Sequence, residues 1–217
     1  MKTLISIVLF ALWGFGQTAE DIALRVESKL RSFETFQAEF EQFYYSSTVS
    51  VPLHEKGKLF FKKPGLMKWV YLDPEEKVFL IKDDVFWDYN KEEEQLIKYD
   101  ITGEGQDTEV IALLSGRMNL LETYEISYSP FPTENEHSKQ IRLTPKDEEY
   151  AGSFLLLEID EKTRLILKII SFDWSGNKTE FHFKKIKTNI SLPAGTFDLK
   201  VPPGTDIIEN SGKRRRK

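Results

Sequence analysis

From residue 36 to residue 187, apolar and polar side chains trade places with a period of two in one short run after another. Phe36, Ala38, Phe40 and Gln42 alternate with Gln37, Glu39 and Glu41. That period sends successive side chains to opposite faces, so each run reads as a strand with one wet face. Turn signals separate the runs. Pro64-Gly65 stands between Leu59-Phe60-Phe61 and the Met67, Trp69, Tyr71 series, and Asp83-Asp84 stands between residues 78–81 and 85–89. Further strands are expected at residues 95–99, 125–128, 140–144, 154–159, 165–174 and 179–187, with turns at 160–163 and at Ser175-Gly176-Asn177. Pro193, Gly195 and Pro202-Pro203-Gly204 break up the C-terminal stretch.

Two segments keep the helical period instead. Ile22, Val26 and Leu30 recur every fourth residue, which predicts an amphipathic helix from about Asp21 to Arg31. Val110, Ile111, Leu113 and Leu114 predict a second over residues 107–121, with Asp107 as its N-cap and Gly116 as its stop. A short helical turn is expected at residues 118–121. About ten antiparallel strands accumulate twist and curl. The expected fold is mostly β: a single strongly curved antiparallel sheet, an incomplete β-barrel, with helices covering its concave side.

Met1-Lys2 opens a short basic start, residues 4–15 are nearly all apolar, and Gln17-Thr18-Ala19 offers a small-residue exit before Glu20. This pattern predicts a secretory signal over residues 1–19, a domain over 20–212 and a basic tail over 213–217. The apolar run is well short of the ~20 residues that a membrane span needs. The chain has no cysteine, so no disulfide or thiolate chemistry is open to it. The formal charge is −5, and setting aside Lys2 and the five cations of Lys213-Arg214-Arg215-Arg216-Lys217 leaves the domain near −11. An acidic body repels phosphate backbones, which argues against nucleic acid as a partner.

Catalytic constellations are missing from the pattern. His54, His137 and His182 are isolated from one another, no Gly-x-Ser-x-Gly elbow occurs, and no histidine pair has metal-ligand spacing. The carboxylates gather at turns and exposed strand faces, for example Asp73, Glu75 and Glu76. No catalytic residue, metal or cofactor is expected, and the chain reads as a binding protein rather than an enzyme.

The stretch from Gly57 through Pro64-Gly65 to Tyr71, followed by Asp73-Pro74 and then Asp84-Val85-Phe86-Trp87-Asp88-Tyr89-Asn90, resembles the periplasmic outer-membrane lipoprotein carrier family, the LolA-like proteins. The phrase Phe33-x-x-Phe36-x-Ala38-x-Phe40-x-Gln42 and the ending Phe197-x-Leu199-x-Val201-Pro202-Pro203-Gly204-Thr205 carry the same resemblance. It spans roughly residues 21–209. It implies an incomplete barrel closed by helices, with an apolar cavity for the acyl chains of lipoproteins. It also implies a periplasmic monomer that takes its cargo from an inner-membrane lipoprotein-releasing transporter and passes it to an outer-membrane acceptor. The family's basic residue before the proline, usually Arg, is here Lys63, and the resemblance makes it the latch of the lid. A lysine offers a point charge without the planar fork of arginine, so a weaker latch is expected.

Strand parity places Leu59, Phe61 and Lys63 on one face, and Met67, Trp69 and Tyr71 likewise. The expected cavity lining is Phe36, Phe40, Leu59, Phe61, Met67, Trp69 and Tyr71, with Leu80 and Phe86 from the next hairpin, Leu113 and Leu114 from the helix, and Phe181 and Phe183 from the last long strand. Two alternatives stay open: a carrier of another lipid or glycolipid, and a lipid-sensing regulatory module on the same fold.

Overall fold

Twelve strands form one open sheet in the order β12-β6-β5-β4-β3-β2-β1-β11-β10-β9-β8-β7. The computed structural model describes residues 17–83, 85–100, 106–133 and 135–210. The apolar run before residue 17, Asp84 and the basic tail 213–217 lie outside the described residues. The strands are β1 (Thr35–Tyr45), β2 (Leu53–Lys62), β3 (Leu66–Asp73), β4 (Lys77–Lys82), β5 (Val85–Asn90) and β6 (Gln95–Asp100), then β7 (Tyr124–Tyr128), β8 (Ser138–Pro145), β9 (Phe154–Asp160), β10 (Ile166–Phe172), β11 (Lys178–Thr188) and β12 (Asp206–Asn210). Neighbours pair antiparallel, with the exception of β12, which adds to β6 in parallel.

Register explains which side chains share the concave face. Phe36, Phe61, Met67, Ile81 and Phe86 lie opposite one another across five strands, and Ala38, Leu59, Trp69 and Phe79 form the next row. Phe40 and Gly57 face each other in the row after that, beside Tyr71 and Lys77. A Cβ on Gly57 would stand 2.2 Å from the Val70 carbonyl oxygen and 2.6 Å from the Phe40 ring, so the ring occupies space that glycine alone leaves free. The odd-numbered residues of β1 point to the other face, where Glu39 and Glu41 pair with Lys185 and Lys184 at 2.9 and 2.6 Å.

Three helices lie over the concave face. Helix α1 (Ala19–Arg31) starts two residues before the expected Asp21 because Thr18 caps it. Thr18 Oγ1 accepts from the Asp21 N–H, and Asp21 accepts from the Thr18 N–H, both at 3.1 Å, so two otherwise orphaned donors are satisfied. Ala19, expected at the end of the export signal, is the first helical residue and is buried. The α1 stripe of Ile22, Ala23, Val26 and Leu30 is buried against α3, β7 and β8. Helix α2 (Gln106–Leu114) begins one residue before the expected Asp107. Gly116 ends it with φ +69°, its N–H donating to the Leu113 carbonyl at 2.9 Å. The expected turn at 118–121 is α3 (Leu120–Thr123), capped by Asn119.

The convex face carries a second, smaller buried layer of Leu80, Tyr89 and Leu96. Lys68 faces Leu80 across the β3–β4 ladder, and its ammonium donates to the Asp198 carbonyl at 2.7 Å. Thr35 Oγ1 donates to the Ile190 carbonyl at 2.6 Å. The proline-broken stretch after β11 thus lies along this outer face before the chain re-enters the sheet as β12.

Candidate functional site

A cavity of about 260 Å³ lies between α2 and the concave face of β3–β6. Trp69, Tyr71, Phe79, Phe86, Tyr99 and Phe181 form its sheet side, and Val110 and Ile111 its helix side. The aromatic wall is continuous. Ring centroids stand 5.3 Å apart for Trp69 and Phe181, 5.2 Å for Tyr71 and Phe79, 5.6 Å for Phe79 and Phe86, and 4.8 Å for Phe86 and Tyr99. Phe40 stands behind this wall, edge-on to Trp69 at 5.0 Å and to Tyr71 at 4.9 Å. Edge-to-face and offset ring pairs of this kind are favourable beyond their buried area.

Gln42, Lys77 and Asp88 bring polar atoms into this lining. Tyr71 donates its hydroxyl proton to Gln42 Oε1 at 2.6 Å. Lys77 Nζ stands 2.5 Å from Glu55 Oε1 and 4.5 Å from the centre of the Tyr71 ring. Only 5% of the Glu55 side chain and 20% of the Lys77 side chain are exposed, so this is an ion pair held inside the protein.

Among the residues expected to line a cavity, Trp69, Tyr71, Phe86 and Phe181 border the void. Phe36, Phe40, Leu59, Phe61, Met67, Leu113, Leu114 and Phe183 are buried in the packed layer of the same concave side. Leu80 is a correction. Its register partners are Lys68 and Trp87, whereas Phe79 and Ile81 carry the inward side chains of β4, so Leu80 belongs to the convex face. The helix presents Val110 and Ile111 to the void instead of Leu113 and Leu114. Sequence reasoning missed Phe79, Tyr99, Gln42, Lys77 and Asp88. The first four were within reach of parity, since Lys77 is in phase with Phe79 and Gln42 with Phe40.

Lys63 reaches the carbonyl of Arg31, the last residue of α1, at 2.6 Å, and lies 3.4 Å from Glu34. The segment that comes after α2 is held from α1 by other side chains. Arg31 donates to the Gly116 and Met118 carbonyls at 3.4 and 3.5 Å, and Glu27 accepts the Leu120 N–H at 2.9 Å. Within α2 itself, Glu109 accepts a short hydrogen bond from the Tyr124 hydroxyl. Burial pushes the Glu109 carboxyl above its ordinary value, and the Tyr124 hydrogen bond pulls the other way without cancelling it.

Comparisons with known proteins agree with this architecture. A family model described as "Outer membrane lipoprotein carrier protein LolA" matches residues 31–200. An outer-membrane lipoprotein carrier protein of Methylococcus capsulatus is 29% identical over 199 residues, covering 91% of this chain and 93% of that one. A carrier of the same description from Azotobacter vinelandii is 28% identical over 207 residues, covering 95% and 96%. Among solved structures, an uncharacterized conserved protein from Thermus thermophilus shares the fold, with TM-score 0.57 and 12% identity over 88% of this chain and 99% of that one.

Proposed function

The chain belongs to the LolA family of outer membrane lipoprotein carrier proteins, and from that membership we propose that it carries lipoproteins by enclosing their acyl chains between the aromatic wall and α2. The single observation that supports this site is the void itself: a cavity of about 260 Å³ whose lining is mostly aromatic and aliphatic, with Gln42, Lys77 and Asp88 beside them. Two or three long acyl chains need more room than a void of about 260 Å³ offers. A lipid with two or three chains therefore requires α2 to move away from the wall.

Energetics favour such a cover. Each enclosed CH₂ contributes ~0.8 kcal/mol, so a fully buried sixteen-carbon chain is held by roughly 12 kcal/mol. Binding of that strength with no opposing term would not release. Displacing the buried side chains Val110 and Ile111 from the wall opposes it, which leaves a net affinity compatible with hand-over. No bond is made or broken in this cycle, and the protein acts as a carrier without catalysis.

In this reading the chain works in the periplasm as a monomer. It receives lipoprotein from an inner-membrane lipoprotein-releasing transporter and delivers it to an outer-membrane acceptor. No helix among the described residues is long and apolar enough to cross a membrane. The test is release. Purified protein added to inner-membrane vesicles with an active transporter is expected to bring lipoprotein into the soluble fraction, and retention of all lipoprotein in the vesicles contradicts the proposal.

A further inference from the structure

We propose that the export signal ends at Gly16, and that hydrolysis of the Gly16–Gln17 bond leaves Gln17, Thr18 and Ala19 at the start of the mature protein. The end of the signal then lies three residues before Ala19.

The fold uses all three residues. Thr18 Oγ1 accepts the Asp21 N–H and the Thr18 N–H donates to the Asp21 carboxylate, both at 3.1 Å, and the Thr18 carbonyl accepts the Ile22 N–H at 3.2 Å. Ala19 is 4% exposed and sits in the core with Ile22, Ala23 and Val26. The Gln17 carbonyl accepts a short hydrogen bond from the Tyr128 hydroxyl, which ties the start of α1 to the end of β7. A cut after Ala19 would remove these hydrogen bonds and open a gap in the core. It would also strand N–H groups of the first turn and set the new ammonium on Glu20, at the positive end of the helix dipole. A cut before Gln17 keeps these contacts and places the ammonium on an exposed residue ahead of the helix.

The sequence supplies the matching cut. A signal peptidase acts on the chain before it folds, so the side chains beside the bond select it, and small ones are needed at the last and third-last positions of the signal. Gly14-Phe15-Gly16 has glycine at both, at the end of the apolar run. Gln17-Thr18-Ala19 has a small residue at the last and a glutamine at the third-last. In the reaction, water adds across the amide: Gly16 leaves with a carboxylate and Gln17 gains an ammonium. Water is the only co-reactant. The bond that the side-chain pattern favours is thus the one whose product retains the helix cap, the core alanine and the tie to β7.

The experiment is intact-mass spectrometry of the full chain, expressed with its own start in a Gram-negative host and recovered from the periplasm. The expected mass is that of residues 17–217, or that mass less the ammonia which an N-terminal glutamine loses on cyclising. The mass of residues 20–217 overturns the proposal, as does an uncut chain. Thr18→Ala in the same full chain discriminates again, since residue 18 is present in the product of one cut and absent from the other. The mature variant is expected to be lighter by one CH₂O and to unfold at a urea midpoint about 0.5 M lower, through loss of the cap. An unchanged mass or an unchanged midpoint overturns the proposal. Gly16→Leu puts a large side chain beside the bond and acts before folding. It is expected to lower the yield of protein beginning at Gln17 at least about tenfold, and an unchanged yield of that product contradicts the assignment.

Discussion

Glu27 and Arg31, one turn apart on α1, form an ion pair of 2.6 Å whose carboxylate also receives the buried N–H of Leu120. One glutamate thus ties the first helix to the segment beyond α2. Arg31 is half exposed, and a pair with one exposed partner adds at most about 1 kcal/mol. The Leu120 N–H has no water to turn to. Glu27→Ala is expected to lower stability by about 2–3 kcal/mol, and Glu27→Gln, which keeps an acceptor, by less than half as much. Urea unfolding followed by circular dichroism checks the difference, and equal losses in both variants would place the effect in the charge alone.

Gly57 and Gly65 make a matched pair for a second prediction. A Cβ on Gly57 meets backbone at 2.2 Å and the Phe40 ring at 2.6 Å, while nothing lies within 4 Å of one on Gly65. Gly57→Ala is expected to cost about 3 kcal/mol or to prevent folding, and Gly65→Ala to change stability by less than about 0.5 kcal/mol. Thermal melts of the two variants side by side give the answer.

The buried carboxyl of Glu109 makes α2 sensitive to pH. Its folded-state pKa is raised above 4.5 by burial, so the folded protein holds this proton more tightly than the unfolded chain does. The stability it contributes is full below 4.5 and is lost as pH rises through the raised folded value. Glu109→Gln cannot ionise, so it is expected to remove this fall and to be the more stable protein at pH 8. Urea midpoints at pH 4 and pH 8 for both proteins test the sign. A wild type that gains more than the variant between the two pH values would refute it.

Room in the cavity predicts a separation of folding from function. Val110 faces the void from α2. Val110→Phe adds a ring where there is space, so stability is expected to stay within about 1 kcal/mol of wild type. The same ring takes space from the cargo, and lipoprotein release from vesicles is expected to fall about tenfold. Unchanged release would mean that the chains do not enter beside α2.

Period-two alternation made β1 and β11 legible, because each has one face against the core and one facing outward with charged side chains. Residues 78–81 were legible as a strand but not in orientation. Val78, Phe79, Leu80 and Ile81 are apolar in succession, since β4 is covered on both faces: by the aromatic layer inside and by the layer around Lys68 and Asp198 outside. That is why Leu80 was assigned to the wrong side. Strand β12 was not legible at all. Its five residues come after Pro202-Pro203-Gly204 and alternate weakly, and their partner β6 lies more than a hundred positions earlier in the chain. Lys77 in the cavity lining escaped for a related reason. A lysine at a strand start reads as solvated until tertiary pairing brings Glu55 against it.

Trp69 offers the most direct measurement of whether acyl chains occupy the cavity. It lines the void and touches Phe40 and Phe181, whereas Trp174 is exposed on the turn before β11 and Trp87 points to the convex face. In a Trp87→Phe/Trp174→Phe protein beginning at Gln17, Trp69 is the sole source of indole emission. Loaded with a triacylated cysteine peptide whose chains carry bromine, this protein is expected to lose more than half of that emission, because bromine quenches on near contact. Stoichiometric binding of the same peptide with Trp69 emission undiminished would contradict the carrier site, since the chains would then lie outside the aromatic wall.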